Sequence, residues 1–313
     1  MVRLSIIIPA IGEVSQFEDT LASVLSNRPD DSEIIVPHAE AYDDPYGLSD
    51  EVNFLSATKR TDPSKLVAAG IDESNGRIVH LLMPGCEVTD RWCEGAISLL
   101  EDPGVGCVSI PVRVENQRGQ QTIFGIRRGL GGARIEVRAE GESGAAEARE
   151  KSIGPSILAA FYQRAAINAV RGWPSGLSLA SADLDVALSL NEAGFYNSLA
   201  EKKIISTRAA QPGRPSAYSK SRDAERLFWR HKHSAASALV RPLGAALSCV
   251  TAGNPLQIAG ALLGKLASPL DFASAKAHRQ FVAATRLQQR GSVGAVERVV
   301  DDPADETPQR RAA

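Results

Sequence analysis

Two hydrophobic rhythms alternate along the first third of the chain. Short, mostly apolar runs at residues 4–8, 33–36, 52–56, 78–83 and 105–112 read as strands, several without strict alternation, as strands covered on both faces are. Between them apolar residues recur at helical spacing: Phe17, Leu21, Val24 and Leu25; then Leu66, Val67 and Ile71; then Trp92, Ala96, Leu99 and Leu100. Asp62-Pro63 marks one helix start, a capping side chain followed by a proline suited to the first helical position. Strand, helix, strand, helix in this order predicts an α/β domain with a mostly parallel wound sheet and helices on both faces.

Beyond Val112 the rhythm changes. Residues 122–128 and 134–139, joined through Leu130-Gly131-Gly132, predict a hairpin, and residues 141–151 form a polar Gly/Ala/Glu-rich connection. A strand is expected at 157–161, a helix at 163–170, a turn at Gly172-Trp173-Pro174, a helix from Asp183 to Ala193 closed by Gly194, and a short strand at 203–206. From Asp223 onward the pattern is helical. The expected organisation is a domain over residues 1–210, a helical region over 211–290, and a disordered tail over 291–313.

Composition narrows the function classes. A formal charge of -2 and a pI near 6.3 provide no net basic field, which speaks against general nucleic-acid binding. Cys86, Cys93, Cys107 and Cys249 form neither a C-x-x-C pair nor a disulfide framework, as expected of reduced thiols in a cytoplasmic protein. The chain enters a strand pattern by Leu4, with no signal peptide expected before it. Residues 242–264 carry no charge, but Thr251, Gly253, Asn254, Pro255 and Gln257 interrupt the stretch. Two packed helices joined by a turn are expected there rather than a span, in a cytoplasmic protein, with peripheral contact at the inner face of a membrane as the alternative. Arg222, Arg226, Arg230, His231, Lys232 and His233 cluster around Trp229, a pattern read either as a solvated helix face or as a site for phosphates.

Candidate chemistry centres on residues 77–90. Pro84-Gly85 must break the strand at 78–83, and in an open α/β sheet the loop leaving the carboxyl end of a strand is where ligands sit. That loop offers one carboxylate, Glu87, before Thr89 or Asp90 caps the next helix.

Four segments carry a resemblance. Ser5-Ile-Ile-Ile-Pro9-Ala10 with Glu13 and the helix to Leu25, Lys65-Leu-Val-Ala-Ala-Gly-Ile71 with the strand to Pro84 and Glu87, Gly154-Pro-Ser-Ile-Leu158 with Arg164 and Gly172-Trp173, and Ala182-Asp183-Leu-Asp185 with Ala193-Gly194-Phe195 resemble the family 2 glycosyltransferases of the GT-A, Rossmann-like fold. The resemblance spans residues 4–206, within which the hairpin read from the residue pattern is a small insertion in the wound sheet, and the helical region that follows is a C-terminal appendage. It implies transfer of a sugar from a nucleotide diphosphate to a glycan or lipid-linked acceptor, with inversion at the anomeric carbon. Such chemistry requires a carboxylate base and positive charge on the leaving diphosphate.

Asp183 falls where the family places its base, and equally where an aspartate would cap a helix. By the same resemblance Pro9, Ala10, Glu13, His38 and Lys65 border the nucleotide, with Lys65 a candidate for offsetting phosphate charge. The family's Asp-x-Asp metal loop corresponds here to Met83 and Gly85, with Glu87 two residues on. One carboxylate is a poor site for Mg2+ or Mn2+, so no metal ligand is assigned. Two readings stand: a transferase that works without the metal loop, and an inactive relative that binds a partner.

Overall fold

The computed structural model of the chain describes residues 2–40, 42, 44–116, 119–129, 132–139, 145–201, 205–207, 216–231, 259, 263 and 271–300. Its centre is a seven-stranded sheet of β1 (Leu4–Ile7), β2 (Ser32–His38), β3 (Val52–Ser56), β4 (Ile78–Leu82), β6 (Val105–Ser109), β10 (Ala159–Gln163) and β11 (Tyr196–Leu199), in the order β11-β6-β10-β4-β1-β2-β3. β1 lies parallel to both β2 and β4, with Ile6 level with Ile34 on one side and His80 on the other. All of β1 and β4 is buried, which is why their sequences are mostly apolar, with Ser5 and His80 as buried polar exceptions.

Helices α1 (Val14–Ser26) and α2 (Pro63–Glu73) are the crossovers. α1 buries Phe17, Thr20, Leu21 and Val24, the face its spacing predicts. The Asp62 side chain accepts from the Ser64 amide, and Pro63 occupies the first turn of α2. At the return from α2, Gly76 lies so close to Ser5 that an added Cβ would sit 2.7 Å from its backbone nitrogen, so no larger residue fits beneath β1 without displacement.

β10 runs antiparallel between β4 and β6, the one reversal in an otherwise parallel sheet. A second sheet of five strands has the order β5-β12-β7-β8-β9, made of β5 (Cys86–Glu87), β7 (Val112–Asn116), β8 (Gly119–Arg128), β9 (Arg134–Ala139) and β12 (Ile205–Thr207). The anticipated hairpin is β8–β9, paired from Thr122 with Ala139 to Arg128 with Arg134. The expected single strand over 105–112 is divided: Pro111, which has no amide to donate, separates β6 in the first sheet from β7 in the second. The expected strand at 157–161 begins two residues later, as β10. The strand expected at 203–206 is β12, preceded by β11, which the polar sequence Tyr-Asn-Ser-Leu did not announce.

α3 (Glu94–Leu99), α4 (Ala145–Lys151) and α5 (Arg164–Ala169) are short. α6 (Leu179–Ala193) is the long helix after the Gly172-Trp173-Pro174 turn, and it ends as expected at Gly194 in the left-handed conformation, φ 101°. It begins one turn earlier than its sequence suggests. Ser178 is its cap, and the Ser178 amide, at 3.0 Å, and hydroxyl both donate to Asp223, a carboxylate brought by α7 (Ala217–Arg230). A cap completed from another helix leaves no local signal. α8 (Phe272–Val300) packs across α6 and α7, burying Ala275, His278 and Val282, and continues through Gly291 to Val300.

Among the described residues no helix is long and apolar enough to cross a membrane. The uncharged stretch 242–264 lies outside the described residues except at Ala259 and Leu263, as do Lys232 and His233.

Candidate active site

The carboxyl ends of β1, β2 and β4 form one edge of the large sheet. Pro9 is buried there, and Ala10 bridges to His38, its amide donating to the Pro37 carbonyl at 3.0 Å. The His38 Nδ1 lies 2.8 Å from the Glu40 carbonyl, so it carries the proton and donates. Glu13, just before α1, and Lys65, in the first turn of α2, are both exposed. These five residues thus belong to the loops and helix starts at the edge where wound sheets bind ligands.

The loop after β4 folds against α1. The Cys86 amide closes a tight turn onto the Met83 carbonyl at 3.1 Å, with Pro84 and Gly85 at its centre and Gly85 at φ 87°. The turn is anchored onto α1: the Gly85 amide reaches the Thr20 hydroxyl at 2.9 Å and the Gln16 carbonyl at 3.2 Å. The Met83 amide donates to the Leu158 carbonyl at 2.9 Å, and the thioether is buried, 2% exposed. Glu87 follows on β5, half-buried and paired across to Ser206. Neither Met83 nor Gly85 offers an oxygen side chain, and with Glu87 as the one carboxylate the loop's donor set does not fit a hard divalent cation.

Asp183 lies within α6, past its first turn, and not at its cap. It is fully buried, and every oxygen is engaged. The Arg134 Nε lies 2.9 Å from both carboxylate oxygens and Nη2 lies 2.8 Å from Oδ2. The Ile157 amide adds a bond of 3.0 Å to Oδ2, and the Leu184 amide one of 2.8 Å to Oδ1. Burial pushes the carboxyl pKa upward, opposed by Arg134 and these two amides. Arg134 comes from the start of β9 and is itself held by Glu136 at 3.1 Å and the Ser156 hydroxyl at 3.3 Å. Arg138 in turn forks onto Glu136. Of the polar face of β9, Arg134 is the residue that reaches α6, and Glu136 links it to Arg138.

Ile157 connects this cluster to the strand exit, since its neighbour Leu158 receives the Met83 amide. The structure thus places Asp183 beside the end of β4, with the hairpin clamped upon it. Sequence reasoning missed Arg134. The alternation of Arg-Ile-Glu-Val-Arg on β9 marks a polar face, but nothing local says what that face meets.

A second buried charge cluster sits on the other side of α6. Arg230 forks onto Asp185 at 2.7 and 2.8 Å, and His231 bridges Asp185 and Glu192 at 3.0 Å each. Burial opposes ionisation of Asp185, but the His231 hydrogen bond and Arg230 outweigh it and hold the carboxyl far below its usual range. Burial likewise opposes a charged His231, yet Asp185 and Glu192 together raise its pKa. Asp185, His231 and His278 bring ligating atoms within 4.8 Å of one another. The Arg230 guanidinium, which also approaches His278 at 3.1 Å, already supplies the positive charge a cation would bring. The α7 cluster of the sequence, so far as it is described, is thus turned substantially inward: Arg222 and Arg226 pair with Asp271, and Arg230 and His231 with Asp185.

No family model matches the chain, and no curated protein matches it in sequence. Solved structures do. The chain is similar to GalNAc-T7 with UDP, GalNAc and Mn2+, at TM-score 0.57 and 12% identity over 72% of this chain and 47% of the other. It is similar to the mannosyltransferase PcManGT from Pyrobaculum calidifontis in complex with GDP-Man and Mn2+, at 0.52 and 14% over 96% and 88%. It is also similar to residues 1–349 of TarS from S. aureus, at 0.56 and 12% over 93% and 92%. The fold is the Rossmann-like GT-A fold of these glycosyltransferases. The chain spans about half the length of the GalNAc-T7 chain, at 47%, and nearly the whole of the other two.

Proposed function

We propose that the protein transfers a sugar from a nucleotide diphosphate to a hydroxyl of a glycan or lipid-linked acceptor, with inversion at the anomeric carbon and without a metal in the loop after β4. The observation that carries this reading is the position of Asp183, one backbone hydrogen bond from Ile157 beside the exit of β4 on a GT-A sheet. In the reaction the acceptor oxygen bonds to the anomeric carbon, the diphosphate leaves with the electron pair of the broken C–O bond, and the acceptor proton passes to Asp183. The buried surroundings that raise the Asp183 pKa also make it a stronger base. Lys65, exposed at the start of α2, is the residue assigned to offset diphosphate charge. Turnover on this reading requires the Arg134 fork to open, because no acceptor reaches a carboxylate with 0% exposure.

That fork favours a second reading, an inactive relative in which Asp183 is a structural anion and the cleft or hairpin binds a partner. One experiment separates them. Thermal shift and sugar-transfer assays with a panel of UDP-, GDP- and dTDP-sugars, with and without Mn2+, should give a metal-independent shift with turnover that Asp183→Asn abolishes. Binding without turnover supports the inactive relative. A shift that requires Mn2+ refutes the metal-free assignment of the Met83-Pro84-Gly85 loop.

A further inference from the structure

A cavity lies beside the loop that precedes α6, apart from the Arg134–Asp183 fork. The loop 170–177, the last turns of α7 and the first turns of α8 enclose about 300 Å³, lined among others by Arg171, Trp173, Ser175, Arg226, Arg230 and Ser274. Arg171, Arg226 and Arg230 line it together with Asp271, Asp185 pairs with Arg230, and burial and Arg230 push the His278 pKa down to about 4, leaving that ring neutral. Arg226 is fixed by Asp271 and the Gly176 carbonyl, and Arg230 by Asp185, so both are held in place before any ligand arrives. Arg171 differs. Among the described residues no carboxylate pairs with it, and its guanidinium lies 4.3 Å over the Phe281 ring.

Its backbone is also unusual. Arg171 sits at φ 74° just past α5, where the Gly172 amide returns to the Ile167 carbonyl at 2.9 Å. Helices that end this way ordinarily place glycine at the left-handed position, and a side chain there costs roughly 1 kcal/mol. An arginine in that place is a local cost to the fold that a ligand contact would account for.

We propose that this cavity binds a small phosphate-bearing anion, a phosphate monoester or diester, with Arg171 as the cation at its mouth, Arg226 and Arg230 as fixed donors, and the Ser175 and Ser274 hydroxyls completing the shell. Asp271 and Asp185 already balance Arg226 and Arg230, so the uncompensated charge that selects an anion is that of Arg171, and planar guanidinium groups suit phosphate oxygens. Val170, Leu177 and Ala275 leave an apolar margin for a short carbon substituent. The proposal does not rest on sugar transfer, since Asp183 faces the hairpin and this cavity faces α7 and α8.

The test uses the full chain. Titrations with inorganic phosphate and glycerol 3-phosphate, followed by calorimetry, are run beside co-sedimentation with phosphatidylglycerol and phosphatidylcholine vesicles. Native protein, Arg171→Gly and Arg171→Gln are compared. Glycine relieves the left-handed backbone and so should melt near the native temperature, whereas glutamine keeps length without charge. Saturable one-site binding that both variants weaken by about tenfold or more is the expected result, by the usual worth of a charge-assisted hydrogen bond. Binding to soluble phosphates identifies a free ligand; binding confined to anionic vesicles, and lost in both variants, identifies a lipid headgroup. Absence of saturable binding to every probe overturns the proposal, as does binding that the variants leave intact. The nucleotide-sugar shift should be unchanged in Arg171→Gly; its loss together with phosphate binding would place the phosphate in the donor cleft and also overturn the site.

Discussion

Arg134 and Asp183 meet in a fork between the second strand of a hairpin and the interior of a helix, with the carboxylate at 0% exposure and the guanidinium side chain at 12%. Removing one member leaves the other charge buried and unpaired. Asp183→Asn and Arg134→Gln should each destabilise the protein by about 3–5 kcal/mol, and the double variant by less than their sum. Urea denaturation of the four proteins measures the coupling. Strict additivity would mean that the fork contributes nothing beyond its separate parts.

The turn after β4 predicts a smaller effect. The Thr20 hydroxyl accepts from the Gly85 amide and donates to the Gln16 carbonyl at 3.0 Å, tying the turn to α1. Thr20→Val keeps the shape and loses both bonds, at a cost of about 1–2 kcal/mol. Hydrogen exchange at Gly85 should quicken in that variant, while exchange in the centre of β4 stays slow.

Acid sensitivity follows from His80. Trp92 Nε1 donates to His80 Nε2 at 3.3 Å, which puts the ring proton on Nδ1, directed at the Ala160 carbonyl 3.1 Å away. The ring is neutral and stacked on Phe161, and burial pushes its pKa down to about 3. An unfolded histidine titrates near about 6.5, so the unfolded chain takes up the proton first. Stability is therefore complete above roughly pH 6.5 and falls as pH is lowered toward 3, by at most about 1.4 kcal/mol per pH unit from this residue. His278, at about 4, acts in the same direction. Denaturation midpoints across pH 4–7 should fall less steeply for His80→Asn than for the native chain.

His231 has the opposite sign. Held between Asp185 and Glu192 against the effect of burial, its pKa is raised in the folded state. Its stabilising contribution is fully present below about pH 6.5 and is lost as pH rises through the folded value. Melting temperatures taken between pH 6 and 9 should decline for the native protein and change less for His231→Gln.

The wound sheet was legible because its strands are covered on both faces and its helices on one, so each element carries its burial as a pattern. Asp62-Pro63 and Gly194 were legible because their signals act within a few residues. The start of α6 was not, since Asp223 completes the cap from a distant helix, and with it went the choice between cap and buried anion for Asp183. Arg134 and the inward turn of Arg226 and Arg230 were hidden for the same reason: a charged side chain announces that it needs a partner, not where the partner is. β11 pairs with β6 through a mostly polar segment whose place is set by its neighbour.

β12 lies between β5 and β7, although β5 and β7 both precede it far upstream in the chain. During synthesis the segment containing Glu87 therefore emerges long before the strand that borders it, and closing so long a loop is entropically slow. A nascent chain halted short of Ile205 would present Cys86 and Glu87 with no partner strand, so the candidate donor edge is among the last parts of this molecule to be assembled.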